Sequence, residues 1–305
     1  HLLLPVLRAL KAGQSVRSIG PTWHNNKAGT PLMMGLMFIG STLVCLLLNL
    51  PNTQEYSAIY VFVLAFCFGA IGFLDDYCKV RKKRDMGLTA IQKFLLQGAV
   101  SAVFLYVLYM EGILTCDLYI PFFNVRFYIQ PPVYLLFSMF IIVGTVNAVN
   151  LTDGIDGLSA SVTIPVMVFF AAVALKVNRE ELAVLPGAMI GGLIAFLGLN
   201  WHPAKAFMGD TGSLFMGGVV CGLAFALDIP LVLIFAGFVY IVETLSDVIQ
   251  VTYFKATHGK RLFKMAPIHH HFEMCGWKEE KIVLSFTAVS AVMCLVAWLS
   301  ISSLR

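Results

Sequence analysis

The chain has 305 residues, 59% of them hydrophobic and only 12% charged, with 21 Lys and Arg against 17 Asp and Glu. Together with a mean hydropathy of +0.83, this excludes an ordinary soluble domain, in which about a quarter of residues carry charge, and leaves no nucleic acid among the expected partners. Its seven cysteines are scattered and form no C-x-x-C pair, which argues against a disulfide framework and a Cys-ligated metal.

Apolar runs of about 20 residues cross the hydrocarbon core as helices. Nine are present, at approximately 32–50, 56–74, 94–112, 132–149, 157–175, 183–199, 211–228, 229–254 and 282–302. They are continuous, unlike the short alternating strands of a membrane barrel. The expectation is an all-α polytopic integral membrane protein forming a single transmembrane helical domain over residues 1–305. The opening His1-Leu-Leu-Leu-Pro reads as the tail of an earlier span, giving about ten, the first incomplete. No cleavable signal peptide is visible.

Lys11, Arg17, Lys27, the run from Lys79 to Arg84, Lys93, Lys205, Lys255, Lys260, Arg261, Lys264, Lys278 and Lys281 fall in alternate connections. The other connections hold only Arg126, Lys176, Arg179 and Arg305. The positive-inside rule therefore places the first set in the cytoplasm and the C-terminus outside.

In chain order, the basic segment 11–31 ends Lys27-Ala-Gly-Thr-Pro31, either a topological anchor or an anion-binding loop. The span from 56 runs into Asp75-Asp76-Tyr-Cys-Lys79, and Lys79, three and four residues on, neutralises only part of that charge. Cys116 to Ile129 alternates polar and apolar residues and predicts a small external β-hairpin. The stretch Asn147-Ala-Val-Asn-Leu-Thr-Asp-Gly-Ile-Asp-Gly157 puts two amides and two carboxylates directly after an apolar run. A carboxylate at mid-bilayer costs roughly 2.5–3.5 kcal/mol even on the lenient insertion scale, so Asp153 and Asp156 belong at a wet edge or against something positive. If helical, Asn150, Asp153, Asp156 and Gly157 share one face.

Gly187-x-x-x-Gly191 and Gly218-x-x-x-Gly222 suggest close helix packing. Residues 200–213 supply Asp210 between two glycines, and Phe207 as a flat face that could stack on a base. In the span from 229, at 1.5 Å per residue, Glu243 and Asp247 lie roughly 21 and 27 Å from the outer end. The last cytoplasmic stretch contains Pro267-Ile-His269-His270-His271-Phe-Glu273. Three adjacent histidines suggest a metal, but consecutive side chains diverge and Cys275 alone completes no zinc spacing. Imidazoles against an anionic ligand are the better reading.

Asp75, Asp76, Asp153, Asp156 and Asp210 all belong to cytoplasmic ends of spans. Carboxylates about 4 Å apart repel by roughly 4 kcal/mol at an effective dielectric of 20, so their convergence calls for a cation. Oxygen ligands with substrate phosphates are the habit of Mg²⁺. With Lys27, Lys79, Lys93, Lys205 and the histidines around them, these acids point to phosphoryl transfer between a soluble nucleotide and a lipid phosphate. A secondary transporter is the rival, but its acids belong near the midplane of the bilayer.

Asp75-Asp76-x-x-Lys79, Asn147-x-x-Asn150-x-x-Asp153-Gly-x-Asp156-Gly, Phe207-Met-Gly-Asp210-x-Gly-Ser and Pro267-x-His-His-His-x-Glu273 together resemble the bacterial phospho-N-acetylmuramoyl-pentapeptide transferase family, within the polyprenyl-phosphate N-acetylhexosamine-1-phosphate transferase superfamily. The resemblance implies an inner-membrane enzyme with both termini outside and a cytoplasmic active site, expected to be a homodimer. It would join UDP-MurNAc-pentapeptide to undecaprenyl phosphate with Mg²⁺, releasing UMP; a relative using UDP-GlcNAc is the alternative. Through the motifs, Asp210 is the expected Mg²⁺ ligand, Asp75 and Asp76 deprotonate or orient the lipid phosphate, and His269 is an active-site imidazole. Lys27, Asp153, Gly154, Asp156, Asn200 and Phe207 would form the uridine pocket, with Lys79, Lys93, Asn150, His270 and His271 also contacting substrate.

Overall fold

A computed structural model describes residues 30–52, 55–82 and 87–301. The expectations for residues 1–29, Lys27 and the earlier span among them, and those for Lys83, Arg84 and Arg305, lie outside the described residues.

The chain is a multi-pass helical membrane protein. Its helices are α1 (Leu36–Asn49), α2 (Ser57–Lys82), α3 (Ala90–Met110), α4 (Pro131–Thr152), α5 (Leu158–Lys176), α6 (Glu180–Asn200), α7 (Gly209–Ala226), α8 (Leu233–Ala236), α9 (Phe238–Ala256), α10 (Ile268–Met274) and α11 (Glu279–Ser300). Among the described residues, seven are long and apolar enough to cross a membrane, or eight if the broken pair at α8 and α9 is one span. The run at 32–50 yields only the 14 residues of α1, about 21 Å of helix against a hydrocarbon core of about 30 Å. By contrast α2, with 26 residues, is about 39 Å long. Its last turns, which carry Asp75, Asp76 and Lys79, can therefore project beyond the apolar layer.

Helix α7 forms the centre of the bundle: every residue from Thr211 to Ala226 is buried. Small residues allow this. A Cβ on Gly218 would come 2.6 Å from the Ala65 backbone of α2, and one on Gly217 would come 2.8 Å from that of Val146 on α4. The second glycine pair thus packs as expected. The first does not, because Gly187 and Gly191 face open space.

The expected hairpin is present, with β1 (Asp117–Ile120) antiparallel to β2 (Val125–Tyr128). It is tied to α11 by the Phe122 N–H donating to the Ser300 carbonyl at 2.9 Å. Asp228 holds it from the other side through Arg126 and the Thr115 hydroxyl.

Two expectations need correction. Helix α4 ends at Thr152, and residues 153–157 form a turn, so Asp156 does not share a helical face with Asn150 and Asp153. Glycines at 154 and 157 with two aspartates favour such a turn over another helical one. The span from 229 is not straight either: Pro230–Ala236 and Phe238–Ala256 meet at 81°. Counting depth along one axis therefore misplaces Glu243 and Asp247.

Candidate active site

The C-terminal end of α2, the first turn of α3, the last turn of α4 and the N-terminus of α7 meet at one end of the bundle, because antiparallel neighbours alternate direction. On α2, the Asp75 carboxylate lies 2.6 Å from the Lys79 ammonium one turn later. Its other oxygen accepts the Leu88 N–H at 2.7 Å, which folds the start of α3 over it. Thr89 and Gln92 then form a reciprocal capping box that begins α3 and fixes Lys93 in its first turn. The Lys93 ammonium is 3.0 Å from Asp75 and 2.6 Å from Asp210, while Lys79 is 3.1 Å from Asp210. From α4, the Asn150 amide donates to the other Asp210 oxygen at 3.1 Å and to the Ser213 hydroxyl at 2.7 Å.

Asp76 turns a different way. Its carboxylate accepts the backbone N–H groups of Asp210 (3.2 Å) and Thr211 (2.9 Å) and the Thr211 hydroxyl (2.7 Å). These are orphan donors at the start of α7, where a negative charge also complements the helix dipole. Gly209 makes the approach possible: its φ is +70°, and a Cβ there would lie 2.4 Å from the Asp76 carboxylate.

Asp75, Asp76 and Asp210 offer oxygens that all lie within 4.8 Å of one another. Three carboxyl groups face two ammonium groups, so when all three are ionised one negative charge remains. An all-oxygen donor set with excess negative charge suits a hard divalent cation. Asp153, half-buried in the turn after α4, feels the same field. Desolvation first, then the charges of Asp210, Asp76 and Asp156, push its carboxyl up to about 8.

The residues expected around a uridine divide into two groups. Asp153, Gly154 and Phe207 lie in or beside the loops at this end. Asp156 and Asn200 are buried, each about 2% exposed, and are taken up by the loops themselves. Asp156 pairs with His202 Nδ1 at 3.0 Å and accepts the Ala204 N–H at 2.9 Å. Asn200 accepts the Gly157 N–H at 2.9 Å and donates to the Ala206 carbonyl at 2.9 Å. Lys205 is exposed.

The three histidines have three different partners. His269 meets Glu243, His270 meets Glu273, and His271 Nδ1 accepts the Lys264 N–H. The sequence reading assigned nothing to Thr211, Ser213, His202 or Glu279, although Asp156, His202 and Glu279 form a second close group. It also missed an amide pair inside the bundle, where Asn147 donates to Gln97 at 2.7 Å. That pair joins α3 to α4 one turn from Lys93 and Asn150.

Comparison with known proteins bears on this geometry. The chain is 46% identical over 300 residues to the phospho-N-acetylmuramoyl-pentapeptide-transferase of Clostridium acetobutylicum, covering 98% of this chain and 93% of the relative. The chain belongs to the phospho-N-acetylmuramoyl-pentapeptide-transferase family. Relatives of the same name from Clostridium perfringens and Caldanaerobacter subterraneus subsp. tengcongensis are each 44% identical, over 98% and 99% of this chain and 93% and 94% of the relatives. The sequence signature of glycosyl transferase family 4 matches residues 58–228. That range takes in every carboxylate and lysine of the acidic cluster. The histidine segment lies beyond it and is covered by the full-length relatives.

Proposed function

We propose that this chain transfers phospho-MurNAc-pentapeptide from UDP-MurNAc-pentapeptide to undecaprenyl phosphate, giving lipid I and UMP for peptidoglycan synthesis. In this reading the site faces the cytoplasm at the inner membrane and uses Mg²⁺. Family membership supports the reaction class. The observation that carries the chemistry is the Asp75, Asp210, Lys79 and Lys93 cluster at one end of the bundle. Such a cluster suits phosphate chemistry at a membrane face better than ion movement through the midplane.

Asp210, the most accessible of the three acids at 18% side-chain exposure, would hold the cation together with Asp75. Bound Mg²⁺ supplies Lewis-acid polarisation of the phosphoryl oxygens and neutralises charge on the leaving UMP. Lys79 and Lys93 neutralise phosphate oxygens beside the cluster. Asn150 keeps the Asp210 carboxylate in orientation, and Asp76 holds the helix end from which Asp210 projects.

A phosphate monoester has its second pKa near 6, so the lipid phosphate is largely a dianion at neutral pH and needs no strong base. One of its oxygens attacks the phosphorus attached to the sugar and forms the new P–O bond. The bridging P–O bond of the pyrophosphate breaks, and its electron pair leaves with UMP. Asp76 is 1% exposed and accepts the N–H and hydroxyl donors at the start of α7, and Asp75 is 1% exposed and ion-paired with Lys79, which supports direct attack over an enzyme-bound intermediate.

The test is UMP release by purified protein with each component omitted in turn. Release should require UDP-MurNAc-pentapeptide, undecaprenyl phosphate and Mg²⁺ together and should stop on chelation. Release without the lipid phosphate would contradict direct attack, and release without divalent cation would remove the metal.

A further inference from the structure

Glu243 on α9 and His269 at the start of α10 are both 0% exposed, and a Glu243 oxygen lies 2.9 Å from His269 Nδ1. Among the described residues, the other Glu243 oxygen and His269 Nε2 have no hydrogen-bond partner. Buried polar atoms are nearly always satisfied, so two orphans on one pair call for an explanation. The imidazole edge gives its direction. A Cβ on Gly154 would fall 2.1 Å from Nε2 and 2.6 Å from Cε1, so the ring lies flush against the Asp153-Gly154 backbone. That turn separates Asn150, which holds Asp210, from Asp156.

The adjacent His270 ring is 4.1 Å away, but its Nδ1 is engaged by Glu273. With Glu243 ionised the carboxylate can only accept, an arrangement that would put the shared proton on His269 Nδ1 and leave the lone pair of the neutral ring on Nε2.

We propose that Glu243 is a positioning residue for the transfer reaction. By accepting the Nδ1 proton of His269 it fixes the orientation and tautomer of the ring, and so holds Nε2 as an acceptor at the underside of the Asp153-Gly154 turn. The carboxylate and imidazole come from elements on opposite sides of the basic loop 257–267, so closing that loop is what assembles the pair. The inference rests on the reading of His269 as an active-site imidazole, and its test separates the two.

Glu243→Gln, Glu243→Asp and His269→Gln are compared in the full chain in detergent, by UMP release and by thermal unfolding. For metal-ligating histidines, loss of the group that orients the ring costs about 10- to 100-fold, and a comparable loss is expected for His269. Glu243→Gln should lose that much kcat at little-changed KM for UDP-MurNAc-pentapeptide, and Glu243→Asp should restore part of it. In ¹⁵N-histidine spectra of the unmodified protein, the signal that vanishes in His269→Gln should be the neutral Nδ1–H form. Wild-type kcat in Glu243→Gln, or the Nε2–H form in the unmodified protein, overturns the proposal. The spectrum decides the matter if Glu243→Gln does not fold. Full activity in His269→Gln instead overturns the role given to His269, whatever Glu243 does.

Discussion

The Asp76 carboxylate accepts both the backbone N–H and the hydroxyl of Thr211, at 2.9 and 2.7 Å. An acid that reads as catalytic in the sequence also anchors the central helix. Removing an acceptor from buried donors costs about 1–3 kcal/mol. Asp76→Ala should therefore lower the thermal midpoint in detergent clearly, with activity falling alongside it. An Asp76→Ala protein with unchanged stability and no activity would return Asp76 to direct chemistry.

Asp210→Asn is expected to behave in the opposite way. It removes charge but little volume and keeps an acceptor for Asn150, so the fold should hold. Turnover should fall by on the order of 10²–10³ or more, and Mg²⁺ dependence should weaken with it. Full activity in this variant would take Asp210 out of the metal site.

These two aspartates show what the sequence could and could not disclose. Composition and nine apolar runs were enough for a polytopic helical fold, because burial in lipid demands continuous apolar helices. The alternation of basic connections was enough to collect Asp75, Asp210 and Lys93 at one end. Which acid faces ligand and which holds a helix depends on the direction each side chain takes against a neighbour, and spacing carries none of that. Asp76 differs from Asp75 by a single residue, about 100° of helix, and meets a different element. Asn200 and Asp156 matched a binding motif, yet their amide and carboxylate are used by loops contributed from distant sequence. The bend before α9 was invisible too, since Gly237 lies inside an apolar run that hydropathy reads as one span.

Asp153 gives a pH signature. Its carboxyl, pushed up to about 8 from an ordinary 3.8, keeps a proton in the folded protein that the unfolded chain has released. Its contribution to stability is present at low pH and is lost as pH rises across that window. Thermal midpoints from about pH 5 to about pH 9 should fall less steeply in Asp153→Asn than in the unmodified chain. Identical slopes would mean that another group titrates there.

The distribution of basic residues sets an expectation for the orientation of the bundle. Cys116 is buried at 1% exposure and cannot report on sidedness, but Phe123 at the hairpin tip is 76% exposed and Cys275 is exposed. A membrane-impermeant thiol reagent should label Phe123→Cys in intact cells and reach Cys275 only after permeabilisation. The reverse pattern would invert the topology and move the acidic cluster outside.

The most direct measurement compares two sugar nucleotides. Any uridine diphosphate sugar offers the same pyrophosphate to Asp75, Asp210, Lys79 and Lys93, so discrimination has to come from groups beyond it, with the His269 to Glu273 helix and its basic loop the best placed. A site that pairs polar substrate groups rejects analogues lacking them, because its own groups are left unsatisfied. Purified protein with Mg²⁺ and undecaprenyl phosphate should convert UDP-MurNAc-pentapeptide to a lipid-linked product with a kcat/KM far above that for UDP-GlcNAc. Equal values for the two, or a preference for UDP-GlcNAc, would contradict the assignment of substrate.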